Sequence, residues 1–279
     1  MMSHMTRLAG LLVFVIVFVA LCIMALAGGE TTLAQEAAKA PTQEPIPILA
    51  YHRFDPTTPG PTTVTTRVFE QQLAWLAAHH YRIARLRAVV DGLRGTAPPM
   101  ASPAAVITID DGHRSVYTEL FPIIRRERIP VTLFIYPSAI SHASYALTWA
   151  EIKEMLASGL VTVQSHTYWH PDFRKERARR TPADYQAFVD LQLTRSKSVL
   201  ESRLGIKVDM LAWPFGIDDH ELEAAAARAG YVAAFAYEGG LARPGTDLFA
   251  LPRIPVSNAA RGASFGALLS QVSSGKQDP

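Results

Sequence analysis

Short apolar runs alternate with segments of helical periodicity through most of the chain after residue 45. The runs have the length of buried strands, and glycine or proline commonly interrupts the chain between segments. Strands are predicted at 46–51, 83–86, 104–109, 131–136, 160–164, 208–213, 231–236 and 253–256. Helices are predicted at 67–79, 88–93, 115–128, 149–157, 182–204 and 219–229. This alternation predicts βα units, in which parallel strands are joined by right-handed crossovers.

The number of βα units favours a distorted (β/α) barrel of the α/β class. About 235 residues remain after the leading segment, which suits one domain with a substantial core. The chain shows no internal repeat and no second boundary. We therefore predict a single folded domain at 46–279.

The N-terminal segment is expected to direct export. Residues 8–27 carry no charge and are long enough to span a bilayer as a helix. Residues 1–27 fit a cleaved signal peptide and an uncleaved membrane anchor equally well, and residues 28–45 have the composition of a flexible tether. We expect the protein in the cell envelope, periplasmic or extracellular, with membrane contact through 8–27. The only cysteine, Cys22, lies in this segment, so the folded domain has no internal disulfide.

The charge balance argues against a nucleic-acid partner. The formal net charge is +2, and no basic stripe with interleaved aromatic residues is present. The basic residues clustered at 174–180 are interpreted as a solvated loop or the start of a helix.

Two adjacent carboxylates end the predicted strand at 104–109. Asp110 and Asp111 precede Gly112, which permits a sharp turn. The α/β folds place their chemistry at the carboxyl ends of strands, and adjacent residues leaving a strand point in different directions. One acid could therefore bind a metal while the other acts as a general base. A turn with a helix N-cap explains the same residues without any chemistry.

Two histidines follow another predicted strand, at 160–164. His166 and His170 are four residues apart, a spacing at which one helical turn would place both imidazoles on one face. With a carboxylate from the Asp-Asp pair, they predict a metal site with two histidines and one carboxylate. Such a site leaves coordination positions open, as catalytic sites do.

These motifs together resemble those of the polysaccharide deacetylases, the NodB-like carbohydrate esterase family 4. Residues 107–112, Ile-Thr-Ile-Asp-Asp-Gly, resemble the family's Thr-Phe-Asp-Asp-Gly motif, and 165–170 resemble its paired-histidine motif. Residues 212–216, Ala-Trp-Pro-Phe-Gly, resemble its third motif, usually Arg-x-Pro-Tyr. Residues 46–52 are similar to the first strand of the subgroup that deacetylates poly-β-1,6-N-acetylglucosamine. The resemblance implies a distorted (β/α)7-type barrel with a single catalytic domain.

The resemblance also implies an activity. We expect metal-dependent hydrolysis of N-acetyl groups from a polysaccharide that contains N-acetylglucosamine, with release of acetate. Two alternatives stay open on the same fold: a carbohydrate-binding pseudoenzyme, and an O-acetyl esterase or amidase with another substrate. For the expected deacetylase the partner is its N-acetylated polysaccharide substrate, and for the pseudoenzyme it is a bound carbohydrate.

Site residues follow from the matched motifs. Asp111, His166 and His170 are implied as ligands of a divalent metal, zinc first, with cobalt or nickel also permitted by the ligand set. Asp110 is implied as the general base. The backbone N–H of Phe215 is expected to donate to the oxyanion that forms during hydrolysis.

The chain departs from the family pattern at two points. Ala212 stands where the family has an arginine that orients the catalytic aspartate, and we predict that Arg253 replaces it. The family's C-terminal Leu-x-x-His is absent, because no histidine follows His220. His52, at the end of the first strand, is predicted to donate the proton to the leaving amine, although it could instead cap the strand and bond a loop carbonyl.

Two interpretations are possible for the aromatic residues near the motifs. Trp213, Trp169 and Tyr168 could offer flat faces to a sugar ring, or they could line the barrel rim. His113 has no assigned role.

Overall fold

Ten strands occur in the part of the chain that the structure, a computed structural model, describes: residues 44–273. They are β1 (Ile48–Tyr51), β2 (Arg53–Asp55), β3 (Thr63–Thr65), β4 (Arg82–Ile83), β5 (Ala104–Asp111), β6 (Val131–Ile135), β7 (Val161–Ser165), β8 (Met210–Ala212), β9 (Ala233–Phe235) and β10 (Ile254–Pro255). The predicted export segment, 1–27, and the tether up to residue 43 lie outside the described residues. Within 44–273, no helix combines the length and apolar character needed to cross a bilayer.

The helices of this part surround the sheet. They are α1 (Thr66–Ala78), α2 (Leu86–Leu93), α3 (Phe121–Glu127), α4 (Trp149–Ala157), α5 (Phe173–Ala178), α6 (Pro182–Leu204), α7 (His220–Arg228) and α8 (Ala263–Ser273). The long helix α6 has the predicted bounds because Thr181 caps its first turn and Gly205, at φ 67°, ends it.

The main sheet has eight strands, and all its strand pairs are parallel. Its order is β10-β1-β5-β6-β7-β8-β9, and β4 pairs with the start of β5. The segment 248–251 then borders β9, because the N–H groups of Leu251 and Ala236 donate to the carbonyls of Ala234 and Leu251 at 2.9 Å. The same chain continues into β10, which pairs with β1. The sheet is thus curled into a distorted barrel, and the predicted fold class is confirmed.

Both faces of the central strands are buried, as expected for a parallel sheet covered by helices. In β5, residues from Ala104 to Asp110 are all buried. Val106 belongs to an apolar cluster that includes Ile48, Phe134 and Phe235 from three other strands. Thr108 and Asp110 follow Val106 at intervals of two, so they face the same way and place polar groups above that cluster.

Several predicted elements differ in detail. The strand predicted at 83–86 is shorter because Leu86 already begins α2. The helix predicted at 115–128 begins as a π-helical turn, Val116–Leu120, before α3. The basic cluster at 174–180 lies mainly in α5. The small β2–β3 pair and α8 were not predicted.

A tight turn ends β5. Asp111 and Gly112 have φ angles of 72° and 76°, both in the left-handed region. A Cβ atom on Gly112 would lie 2.9 Å from Cγ2 of Ile135. Only glycine therefore allows the chain to turn this close to β6.

Replacing Gly112 by alanine should destabilise the fold more than the same change at Gly95. Gly95 also has a left-handed φ, 70°, but no atom lies within 4 Å of its added Cβ. Gly95→Ala should therefore cost only the backbone strain, about 1–2 kcal/mol, whereas Gly112→Ala adds an overpacking cost of about 1–3 kcal/mol. Urea unfolding of both variants measures the difference. Equal losses would show that Ile135 moves aside freely.

Candidate active site

The carboxyl end of the barrel gathers polar side chains from distant parts of the sequence. Asp110 and Asp111 end β5, His166 follows β7, and His52 follows β1. Arg253 precedes β10, and its guanidinium reaches Asp110 from the barrel interior. The parallel strands bring these groups together because their carboxyl ends share one edge.

Asp111, His166 and His170 form a compact triad of possible metal ligands. One oxygen of Asp111 and one nitrogen of each histidine all lie within 4.8 Å of one another. Oδ1 of Asp111 is 3.7 Å from Nε2 of His166 and 3.6 Å from Nε2 of His170. Burial and the neighbouring His166 lower the pKa of His170 to about 4. The His170 ring is therefore neutral at pH 7, with a nitrogen lone pair available to a metal.

The two histidines meet through a loop and not through the helical turn that their spacing would also allow. Thr167 and His170 both have a left-handed φ of 64°. The loop is held by side chains, since the Thr167 N–H donates to Oγ of Ser165 at 3.1 Å and the His170 N–H donates to Oγ1 of Thr167 at 3.2 Å. Local hydroxyl acceptors thus compete with helical hydrogen bonds at this point.

The orientation of His166 is set by β8. Its Nδ1 lies 2.7 Å from the carbonyl oxygen of Ala212, an acceptor, so Nδ1 carries the proton. In the neutral ring, Nε2, which faces Asp111, is then the nitrogen with the free lone pair. A hydrogen bond of this kind to the far nitrogen is how proteins orient metal-binding histidines.

Asp110 is held by Arg253 through two parallel hydrogen bonds. Nη1 donates to Oδ1 at 2.7 Å and Nη2 donates to Oδ2 at 2.8 Å. Both side chains are buried, at 0% and 2% exposure. Arg253 is itself fixed, because Nε donates to the carbonyl of Ala236 and Nη1 to Oγ1 of Thr108. Arg253 therefore makes the contact with Asp110 that was predicted for it in the absence of an arginine at position 212.

The charge of Arg253 decides the protonation of Asp110. Burial alone would raise the pKa of Asp110, but the Arg253 charge, His166 and the Arg253 hydrogen bonds together hold that pKa well below its usual range. Asp110 is therefore ionised at neutral pH. An ionised carboxylate can accept a proton, which is what a general base requires.

His52 lies at the same end of the barrel. Burial lowers the pKa of its imidazole, opposed by the charges of Asp110 and Asp111. Its ring stands edge-on to Tyr237, with centroids 5.5 Å apart. Among residues 44–273 the His52 ring has no hydrogen-bond partner, so the alternative of a bond to a loop carbonyl is not found there.

Phe215 sits on the rim next to the triad. Its ring centroid is 4.6 Å from that of His170, and the side chain is 63% exposed. Its backbone has a left-handed φ of 58°, inside the short 3₁₀ turn Pro214–Gly216. No backbone carbonyl of the described residues accepts the Phe215 N–H. That N–H is therefore available to a ligand.

The three aromatic residues that could offer a flat face to a sugar ring differ in how exposed their rings are. Trp213 is fully buried, and its Nε1 donates to the carbonyl of Phe249 at 2.8 Å, so it cannot face a ligand. Tyr168 is partly covered by the guanidinium of Arg195, 4.2 Å from its ring centroid. Trp169 remains 40% exposed.

Sequence reasoning missed two residues of the site's surroundings. Tyr136 directly follows β6, and its ring lies 5.4 Å from that of His170. Its hydroxyl is 3.0 Å from that of Tyr145. The position of Tyr136 after a central strand was a usable signal, whereas Tyr145 lies in a loop that no periodic pattern marks.

Comparison with known proteins identifies the class of this site. The profile of the polysaccharide deacetylase family matches residues 97–234, the stretch that carries both aspartates and both histidines of the site. The chain belongs to this family of deacetylases.

Curated relatives and solved structures agree with this assignment. YxkH of Bacillus subtilis (strain 168), assigned to the polysaccharide deacetylases, is 26% identical over 233 residues, which cover 83% of this chain and 79% of YxkH. The poly-β-1,6-N-acetyl-D-glucosamine N-deacetylase of Escherichia coli (strain K12) is 25% identical over 70% of this chain, but the match spans only 34% of that protein. The enzyme of the same name from Staphylococcus epidermidis is 25% identical over 71% of this chain and 69% of its own length.

Two solved structures share the fold. IcaB from Ammonifex degensii superposes with a TM-score of 0.71 at 25% identity, covering 81% of this chain and 97% of IcaB. The Streptococcus pyogenes deacetylase PplD has a TM-score of 0.72 at 23% identity, covering 81% of this chain and 99% of PplD.

Arg253→Met should destabilise the protein and lower its turnover. Removing one partner of a buried ion pair leaves a buried charge and costs about 3–5 kcal/mol. Arg87→Met is the matched control, because Arg87 also pairs with a buried carboxylate, Asp209, but Lys207 remains 3.0 Å from that carboxylate. Urea unfolding should show the larger loss for Arg253→Met. A folded Arg253→Met variant with full activity would eliminate the role of Arg253.

Proposed function

We propose that this chain is a divalent-metal-dependent N-deacetylase of polysaccharides built from N-acetylglucosamine. The observation that carries the proposal is the convergence of Asp111, His166 and His170 on one point beside Asp110, a carboxylate held ionised by Arg253. Hydrolysis of an acetamide needs an activated water, a stabilised oxyanion and a proton for the leaving amine. Residues suited to each task lie at this end of the barrel.

The substrate class is proposed from the relatives. Proteins from Escherichia coli and Staphylococcus epidermidis that align with this chain are named poly-β-1,6-N-acetyl-D-glucosamine N-deacetylases. The identity is about a quarter in both cases, and the Escherichia coli protein is far longer than the matched part. We therefore propose a β-1,6-linked N-acetylglucosamine polymer as the substrate to test first.

The donor set fits a divalent metal. Two imidazole nitrogens and one carboxylate oxygen are ligands that zinc accepts, and cobalt and nickel accept them as well. Nε2 of His166 is free to bind because Nδ1 is committed to the Ala212 carbonyl. A bound metal ion would polarise the acetamide carbonyl and acidify a water molecule.

The remaining residues divide the proton transfers between them. Asp110 would take a proton from the attacking water, and Arg253 keeps both Asp110 oxygens in place for it. The Phe215 N–H would donate to the carbonyl oxygen as negative charge develops there. His52 would give a proton to the departing nitrogen as the C–N bond breaks, so that acetate and a free amine are released.

Substitution of the triad should separate metal binding from turnover. Asp111→Ala, His166→Ala and His170→Ala should each lose bound zinc and activity together, because each removes a ligand. Asp110→Asn should retain zinc and lose turnover, because the amide cannot accept the proton. Zinc content by elemental analysis and acetate release from β-1,6-linked N-acetylglucosamine oligomers provide the two readouts.

The same assay tests the substrate. Oligomers of β-1,4-linked N-acetylglucosamine and O-acetylated xylan serve as controls for linkage and for ester cleavage. Acetate released only from the xylan would support an O-acetyl esterase instead. Full zinc occupancy in His166→Ala would remove His166 from the ligand set.

His52→Ala should retain zinc and fold while turnover falls by roughly a hundredfold or more, as expected for loss of a general acid. His220→Ala is a suitable control because His220 is fully exposed on α7 and, within residues 44–273, pairs only with Glu223. Circular dichroism and zinc analysis establish that the variants are intact before acetate release is measured. Unchanged turnover in zinc-loaded His52→Ala would mean that another group supplies the proton.

A further inference from the structure

Exposed aromatic side chains concentrate around the triad. Within the described residues, four large apolar side chains are strongly exposed: Tyr145, Trp169, Leu191 and Phe215. Phe215 contacts His170, and Trp169 precedes His170 in the sequence. Tyr145 contacts Tyr136, whose ring lies next to His170. Scattered apolar residues are normal on a protein surface, but a cluster next to a site indicates a binding surface.

Two of these residues border a cleft whose wall also includes His170 of the triad. The cleft has a volume of about 480 Å³, within the range of small-molecule sites. Because His170, a proposed metal ligand, is part of this wall, a molecule in the cleft would lie next to one edge of the proposed metal site. Its wall includes Tyr136, Ser138, His142, Tyr145, Trp169 and His170.

The aromatic walls of the cleft are held in place by the surrounding structure. The backbone N–H of Trp169 donates to Oε1 of the buried Gln192 at 3.1 Å, and the Trp169 ring packs edge-on against Phe188 with centroids 5.8 Å apart. Tyr145 is held by the hydroxyl of Tyr136 and by stacking on His113, with ring centroids 6.2 Å apart. Side chains fixed before binding lose little entropy when a ligand arrives.

The chemistry of the lining fits an uncharged sugar ring. A pyranose has an apolar C–H face and a rim of hydroxyl groups, so it needs a flat apolar surface with hydrogen-bonding groups at its edge. Trp169 offers the flat surface, and the hydroxyls of Tyr136, Tyr145 and Ser138 offer the edge. Among the described residues that line the cleft, none is an Asp, Glu, Lys or Arg that would select a charged group.

We propose that this cleft binds the sugar unit next to the one being deacetylated, with Trp169 as its stacking platform. The neighbouring unit would be a neutral, N-acetylated sugar, and the enzyme would therefore act better on oligomers than on the monosaccharide. The inference rests on the proposed function, because it assumes that the reacting acetamide lies at the triad.

The test compares chain-length preference in matched variants. For the wild type, kcat/KM for acetate release should be higher on the β-1,6-linked N-acetylglucosamine tetramer than on the monomer. Trp169→Ala should reduce the tetramer-to-monomer ratio about tenfold, the scale for removing an aromatic anchor, and Trp169→Phe should restore part of it. Leu191→Ala, which removes a side chain of similar exposure outside the cleft wall, should leave the ratio unchanged.

A binding measurement separates the two proposals. Calorimetric titration of the tetramer into the wild type, Trp169→Ala and Leu191→Ala needs no turnover. If the wild type binds the tetramer more tightly than Trp169→Ala but releases no acetate, the result supports sugar binding in the cleft and contradicts the proposed deacetylase activity. If the wild type is active while Trp169→Ala matches Leu191→Ala in both ratio and affinity, the cleft proposal is overturned. Absence of tetramer binding by the wild type overturns it as well.

Discussion

The buried ion pair between Arg253 and Asp110 is the constraint on which the rest of the site depends. Two charges excluded from water must be paired and hydrogen-bonded, and here both carboxylate oxygens are matched by one guanidinium. Asp110 comes from β5 and Arg253 from the chain before β10, with β1 between these strands in the sheet. The chain segment that closes the barrel between β9 and β1 therefore also supplies the arginine that orients the proposed base.

Much of the site could be predicted because parallel strands place their carboxyl ends together. Asp110 continues the inward-facing positions of β5, while Asp111 turns away through its left-handed φ, so the two acids meet different partners. Arg253 could be predicted as the partner of Asp110 because Ala212 removes the usual arginine and Arg253 stands at the start of the last predicted strand. The alternation of apolar runs and helices likewise predicted the barrel.

Other features depend on contacts that local sequence does not reveal. The spacing of His166 and His170 fits a helix, but the Ser165 and Thr167 hydroxyls bind backbone amides there and favour a loop. Trp213 resembled a rim residue by its amphipathic ring, yet the carbonyl of Phe249, 36 positions away, satisfies its N–H inside the core. Tyr145 approaches the site only because its loop folds back towards β6, which no periodicity encodes.

The sequence separation of the charge pair has a consequence for how the enzyme is made. Asp110 and Arg253 are 143 positions apart, and Arg253 lies beyond the 97–234 stretch that matches the family profile. Synthesis runs from the N-terminus, so both aspartates and both histidines leave the ribosome well before the arginine exists. An unfinished chain can hold every proposed metal ligand and still lack the counter-ion of Asp110. The order of translation therefore makes the barrel-closing arginine the last part of the proposed machinery to arrive, and incomplete chains are left without an oriented base.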